Sequence, residues 1–455
     1  MEMVLEFLRD VLSQPALLIG IMSCIGLIAL KRPFHKVMTG TLKPILGYLM
    51  LAAGAGVIVN NLDPLGKMIE HGFHITGVVP NNEAIVAVAQ KVLGVETMSI
   101  LVVGLLMNLC IARLTKFKYV FLTGHHSLFM ACLMSAVLGT AGLSGMELIL
   151  VGGFLMGAWS AISPAIGQSY TSKVTDGDEI AIGHFGSLGY YLSAWVAKYV
   201  GKADDSTEDI EIPEKWGFLR DSTLSTALTM IVFYLIAAFA AGSEFVATLS
   251  GDMSPYLYAV MSAMNFAVGV TIVYSGVRMI LGDLIPAFQG IATKIIPNAI
   301  PAVDCAVFFT YAPTAVVLGF ISSFIGGIIG MLILGAVGGV LIIPGLVPHF
   351  FCGATAGIYG NATGGRRGAA VGAFLNGLAI TFLPAMALPV LGQLGFQNTT
   401  FGDADFAVMG LVLGNAYEWV GMAGIYGIVA IAALVLIIPN FIKTKGKVIN
   451  YVEED

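Results

Sequence analysis

Charge is scarce in this chain: of 455 residues, 11% are Asp, Glu, Lys or Arg, while 57% are hydrophobic. Soluble domains carry roughly 25% charged residues, so a water-soluble globular protein is excluded. The mean hydropathy of +0.88 instead describes a polytopic membrane protein. Cysteine is also sparse. Cys24, Cys110, Cys132, Cys305 and Cys352 stand singly in or beside apolar runs, with no CxxC pair, which argues against a disulfide framework and a zinc site. The sequence lacks a P-loop, a dinucleotide fingerprint, HExxH and GxSxG, so no nucleotide-driven engine or hydrolase assembles from it. No catalytic residue, metal ligand set or cofactor is expected. The net charge of −6 is small and dispersed, which speaks against nucleic acid as a partner. A basic leader is missing too: Glu2, Glu6 and Asp10 precede the first apolar run, which therefore reads as a retained helix rather than a cleaved signal.

What is present is a series of long apolar runs broken at particular places. The most informative break is Ile295–Pro313, IIPNAIPAVDCAVFFTYAP, which combines Pro297, Pro301 and Pro313 with one carboxylate, Asp304. Proline disrupts a helix, and within a bilayer such a break persists only where protein or a watery cavity satisfies the freed groups. An ionisable side chain there is a functional-site candidate. This segment is expected to be broken or re-entrant, lining a polar-solute site; the plainer alternative is a loop outside the bilayer.

Lys31, Arg32, Lys36 and Lys43 follow a first span over Leu12–Leu30, and Arg113, Lys116 and Lys118 follow a third over Thr97–Ala112. By the positive-inside bias both loops are cytoplasmic, which places the N-terminus outside. Lys443, Lys445 and Lys447 put the C-terminus inside, so the number of crossings is odd, and about eleven fits. A second span covers Pro44–Asn60. Asp63–Glu96 and Ile180–Val200 are too polar or too rich in Gly and Ser for simple crossings and read as re-entrant or interfacial. Further spans are expected near Tyr119–Leu138, Met146–Gln168, Leu224–Ala241, Tyr256–Ser275, Val277–Ile296, Ala315–Ile343, Gly368–Leu394 and Phe406–Ile438. The charged stretch ADDSTEDIEIPEKW divides the chain. The organisation is thus a first membrane repeat over 1–200, a cytoplasmic linker over 201–221, a second membrane repeat over 222–442 and a cytoplasmic tail over 443–455. GTLKPILGYLMLAAG (Gly40–Gly54) echoes GVRMILGDLIPAFQG (Gly276–Gly290), and FLTG (Phe121–Gly124) echoes FFCG (Phe350–Gly353), at nearly equal offsets. An inverted repeat of this kind places substrate near the midplane between broken helices.

Asp304 leads the candidate substrate-binding residues, followed by His184 in IGHFGS and by His125 and His126 in FLTGHH. Adjacent histidines on a helix point about 100° apart, so His125 and His126 would not chelate one metal from one face. Each histidine has the alternative of a satisfied packing role. Asn82 and Glu83, in the interrupted segment of the first half, reach the pathway or sit in an exposed loop. His349 is a secondary candidate, and Arg366 with Arg367 suggests an interface rather than a site.

FLTGHH, KVTDGDEIAIGH, LRDSTLSTA, GVRMILGDLIPAFQGI, AVDCAVFFTYAP and LIIPGLVPHFFCGATAGIYGNATGGRRGAA together resemble the ascorbate-type enzyme IIC permeases of the phosphoenolpyruvate:sugar phosphotransferase system, across essentially the whole chain. The resemblance implies an all-α homodimer in the bacterial inner (cytoplasmic) membrane. Each protomer would have eleven spans in two pseudosymmetric halves, forming a V-shaped dimerisation domain and a core domain with alternating access. It implies uptake of a sugar-like substrate, L-ascorbate first, coupled to phosphorylation by separate enzyme IIB and enzyme IIA proteins. It also maps the substrate region onto His125, His184 and Asp304. One departure stands out: the ascorbate pattern has glutamines after both histidine motifs, whereas this chain continues HSLFM and FGSLG. A site that reads hydroxyls discriminates through such groups, so another sugar acid or a neutral polyol stays open as substrate. The alternative mechanism is an ion- or proton-coupled secondary transporter on the same scaffold, with Asp304 or a histidine titrating.

Overall fold

The computed structural model describes residues 11, 14–74, 77, 78, 80, 82–177, 179–210, 222–392 and 400–441. In chain order these form α1 (Pro15–Ala29), α2 (Phe34–Phe73), α3 (Asn82–Leu114), β1 (Tyr119–Phe121), α4 (Gly124–Thr140), α5 (Gly145–Ile166), α6 (Gln168–Thr175), β2 (Ala181–Ile182) and α7 (Ser187–Val200). The second half adds α8 (Ser222–Ala241), α9 (Ser243–Ser250), α10 (Pro255–Lys294), β3 (Ile300–Val303), α11 (Pro313–Ala336), α12 (Leu346–Gly392), α13 (Ala404–Val420) and α14 (Met422–Ile437). Among the described residues, seven helices are long and apolar enough to cross a membrane, or up to eight if α8 and α9, bent by 117° at their junction, make one crossing. The chain is therefore a helical, multi-pass membrane protein.

Two helices of 40 residues, α2 and α10, form the longest unbroken pair. At about 1.5 Å per residue each reaches roughly 60 Å, about twice the hydrocarbon core. The expected break at Asp63 does not occur, because α2 runs through Pro44 and Pro64 to Phe73 and stops where His74 turns left-handed at φ 54°. Likewise the spans expected over Tyr256–Ser275 and Val277–Ile296 are one helix, α10. The two helices touch backbone to backbone through glycines. A Cβ added at Gly276 would lie 2.6 Å from the Gly47 carbonyl oxygen, and one at Gly54 would lie 2.7 Å from that of Gly269. Small residues permit this approach, which drives helix association in lipid, where hydrophobicity gives no preference for helix over lipid. The two echoing sequence segments both lie in this pair, Gly40–Gly54 in α2 and Gly276–Gly290 in α10.

The other long feature, α12, is broken rather than straight. Gly364 (φ −138°) and Gly365 (φ 60°) leave the helical region. The loop after α7 fills the break: a Cβ on Gly365 would sit 2.3 Å from the carbonyl oxygens of Lys202 and Asp205, so only glycine fits at this positive φ. Arg366 pairs with Asp205 at 2.5 Å and donates its backbone N–H to the Asp205 carbonyl at 2.8 Å. The Thr207 N–H donates to the Asn361 side chain at 2.8 Å. Glu208 accepts from Thr314 N (3.0 Å), Thr314 Oγ1 (2.9 Å) and Ala315 N (3.1 Å), capping the first turn of α11 from another part of the chain. Arg366 thus joins the two halves of α12 to the loop after α7. Of the acidic linker, residues 211–221 lie outside the described residues.

Between these helices lies a three-stranded parallel sheet in the order β1–β3–β2. Its outer edge at β1 is closed by Asn108 of α3, whose amide donates to the Tyr119 carbonyl (3.1 Å) and accepts from the Phe121 N–H (3.0 Å). Pro301 is tolerated in the central strand for a geometric reason. Ala302 accepts from Leu122 on the β1 side and Val303 from Gly183 on the β2 side. Pro301 therefore faces the β2 side, and β2 begins only opposite Ala302. No ladder bond is lost to its missing N–H.

Candidate functional site

Each strand ends at a residue singled out from the sequence. After β1 the chain passes through Leu122 and Thr123 and enters α4, whose first turn holds His125 and His126. After β2 come Gly183 and His184, just before α7, and after β3 comes Asp304, just before a 3-10 turn over Cys305–Thr310. Because the strands are parallel neighbours, all three exits open at one edge of the sheet. In open sheets with parallel strands that carboxyl edge is where ligands bind. The start of α4 also faces this edge, and a helix N-terminus is a favourable setting for an anion, whereas the first N–H groups of α7 are already taken by the His184 and Gly186 carbonyls and by Asp405. FLTGHH is therefore a strand, a turn and a helix entry, not the interior of a helical span as the run Tyr119–Leu138 suggested.

The side chains meet. His125 Nε2 is 3.4 Å from Asp304 Oδ2, and its Nδ1 is 3.4 Å from the Tyr48 hydroxyl of α2. His125 is thus a bridge between the long helix pair and the strand edge. Asp304 is 8% exposed, and its Oδ1 accepts from the Ala306 N–H at 3.1 Å, so one oxygen caps the 3-10 turn while the other faces His125. His126 and His184 pack ring against ring at 3.8 Å between centroids, with Phe406 stacked on the far side of His126 at 5.5 Å. His126 Nδ1 accepts from the Phe185 N–H (3.2 Å) and His184 Nδ1 from the Gly186 N–H (3.1 Å), with the Tyr190 hydroxyl also at 2.8 Å from the latter. Accepting at Nδ1 assigns the ring proton of each neutral imidazole to Nε2, which makes Nε2–H the donor that either histidine can offer. Thr123, buried at the β1 exit, has a hydroxyl with no partner among the described residues.

Sequence reasoning missed a carboxylate pair in FGDADF. Asp403 lies 3.9 Å from His184 Nδ1 and accepts from Asn82 Nδ2 (2.6 Å) and the Cys352 thiol (2.9 Å). Asn82 in turn accepts from the Gly402 N–H at 2.9 Å. Asn82 thus reaches the site indirectly, through Asp403, while the Glu83 side chain lies outside the described residues. Asp405 is fully buried. It accepts from Ser187 Oγ (2.8 Å), Leu188 N (2.9 Å) and Trp159 Nε1 (3.3 Å), and its own N–H donates to the Phe185 carbonyl (2.9 Å). Three of these bonds, to Phe185, Ser187 and Leu188, hold the segment that carries His184, and the fourth ties it to α5. The available signal was two carboxylates at the threshold of an apolar run, in which buried charges are costly unless paired. His349 does not join this group; it is buried and bonded to Ser323 at 2.9 Å.

Two sets of atoms lie close enough to hold a metal ion: His126, His184 and Asp403, and His184, Asp304 and Cys305, each within 4.8 Å. Both sets depend on His184, and a cation would have to displace the bonds that Gly186, Asn82 and Cys352 already make. The arrangement as it stands is a buried array of hydroxyl, imidazole and carboxylate groups, suited to a small solute rich in hydroxyls.

A family model described as the sugar-specific permease component of the PTS system, EIIC-GAT, matches residues 10–405. The ascorbate-specific PTS system EIIC component of Mycoplasma pneumoniae is 27% identical over an alignment of 474 residues, which covers 90% of this chain and 70% of that protein.

Proposed function

The chain belongs to the EIIC-GAT family of sugar-specific permease components, and from that premise we propose that it binds a sugar acid, L-ascorbate first, at the carboxyl edge of the β1–β3–β2 sheet. The single observation that carries the reading is the convergence of His125, His184 and Asp304 at the exits of three parallel strands. Substrate hydroxyls would replace the 3.4 Å approach of His125 to Asp304, accepting from imidazole N–H and donating to the carboxylate. A monoanion would lie toward the start of α4. Tyr190, Asp403 and the Thr123 hydroxyl offer polar groups at the edge.

Coupling follows the family: enzyme IIB would phosphorylate the solute as it is released, supplied in turn by enzyme IIA. Alternating access would move the strand edge relative to α2, breaking and remaking the Tyr48–His125 contact, with a homodimer as the working unit. Eleven crossings would be reached by adding α1, α4 and α13 to the eight counted with α8–α9 as one. The N-terminus would lie outside and the C-terminus in the cytoplasm, in a bacterial inner membrane.

Equilibrium binding of labelled ascorbate to the purified protein tests the site, with unlabelled sugar acids, polyols and hexoses as competitors. Competition by sugar acids alone is expected. Competition by a neutral polyol with no effect of ascorbate would change the substrate class. Unchanged binding in both Asp304→Asn and His184→Ala would remove the site.

A further inference from the structure

Away from the strand edge, an open groove of about 470 Å³ separates α1 from the end of α3 and the segment after α10. Its walls are Met22 and Ile25 of α1, Leu109 and Leu114 of α3, and Ile295 and Ile296 beyond α10. The wall has one charged residue, Arg113, in the last turn of α3. Lys118 stands beside it, its ammonium donating to the carbonyls of Ala112 (3.0 Å) and Arg113 (3.4 Å). That bond already satisfies the negative end of α3, so the Arg113 guanidinium is not needed there. No carboxylate pairs with either cation among the described residues. Burial first, and then the neighbouring Arg113, push the Lys118 ammonium down, as expected of two like charges without a counter-ion. Lys294, the last residue of α10, is exposed next to Ile295.

We propose that this groove binds one anionic phospholipid, with an acyl chain against Met22, Ile25, Leu109 and Ile296 and the headgroup phosphate on Arg113. The apolar walls select a chain-bearing ligand over a soluble anion, and the uncompensated cations at the mouth select a negative headgroup over a zwitterionic one. The groove lies where α1, which packs on the long pair α2 and α10, faces α3. A lipid lodged there would therefore contact both the scaffold and a helix that supports the sheet through Asn108.

Native mass spectrometry of the delipidated full-length protein, titrated with phosphatidylglycerol or phosphatidylcholine, tests the proposal. Retention of phosphatidylglycerol about tenfold above phosphatidylcholine is expected, falling to parity in Arg113→Gln and restored in Arg113→Lys. Millimolar inorganic phosphate should leave the bound lipid in place. A second readout uses Cys110, which lines the groove and is exposed: in a Cys24→Ala background, phosphatidylglycerol should slow its alkylation and phosphatidylcholine should not. Equal retention of both lipids, an unchanged preference in Arg113→Gln, displacement by inorganic phosphate, or alkylation indifferent to phosphatidylglycerol would each overturn it.

Discussion

The α2–α10 pair and the strand edge solve opposite problems with the same composition. The pair is regular: two long helices satisfy their own backbone groups and approach through Gly47, Gly54, Gly269 and Gly276. Substituting its outward side chains for other apolar residues would change little. The strand edge is irregular: short strands, a 3-10 turn and two helix starts leave backbone groups that only a specific set of side chains satisfies. Asn108, Asp304, Asp405 and the histidines do this work, and each bond is specific to one partner. In lipid, where an unsatisfied polar group is expensive, irregular backbone is retained only where it is buried in protein or lines a cavity. The contrast predicts that changes at the edge act on substrate handling, whereas changes in the pair act on stability.

The largest effect is expected at Asp304. Asparagine keeps the oxygen that caps the Cys305–Thr310 turn but removes the negative charge facing His125. Asp304→Asn should therefore fold and assemble normally while uptake falls about 100-fold, as expected for loss of a charged hydrogen bond. Next comes His184→Ala, which removes the acceptor of the Gly186 N–H and the Tyr190 hydroxyl and should lower high-affinity uptake about tenfold. Wild-type uptake by both variants would erase the distinction between the two regions.

Asp405→Ala should be intermediate and mixed. Three donors, Ser187, Leu188 and Trp159, would lose a buried acceptor, each at a cost of about 1–3 kcal/mol. Both substrate affinity and the thermal midpoint should drop; a change in the midpoint alone would make Asp405 a packing residue with no bearing on His184. Gly54→Ala sharpens the other side of the comparison. Its Cβ would press on the Gly269 carbonyl at 2.7 Å, costing about 1–3 kcal/mol as overpacking, and KM for uptake should not move. A raised KM with an unchanged melt would reverse the assignment. The smallest effect belongs to Glu208→Ala, which uncaps α11 for about 1 kcal/mol and should lower the melt slightly, restored in part by Glu208→Gln.

The same contrast explains what was legible. Asp304 stood out because a lone carboxylate in a proline-broken apolar stretch has few innocent explanations, and the histidines shared that logic. The strands did not stand out. Tyr119–Phe121 lies inside a continuous apolar run, where periodicity cannot separate a buried strand from a helix, and two residues of β2 carry no pattern at all. Asp403 and Asp405 were passed over because the apolar run after them drew the helix start to Phe406. At Asp63 and Gly276 the local pattern points the other way: charge, proline and glycine suggest breaks, whereas the helices continue through both positions. Helix length in a membrane protein is set by packing against a partner as well as by bilayer thickness, and the partner is invisible in the local pattern. Pairing, rather than propensity, was the missing information in each case.

The most direct test of the central claim is transport by membrane vesicles that carry this chain with matching IIA and IIB proteins, supplied with labelled ascorbate with and without phosphoenolpyruvate. Phosphorylated ascorbate should accumulate inside only when phosphoenolpyruvate is present, and not with Asp304→Asn. Unmodified solute accumulating on an ion gradient without phosphoenolpyruvate would contradict the account and make this chain a secondary transporter.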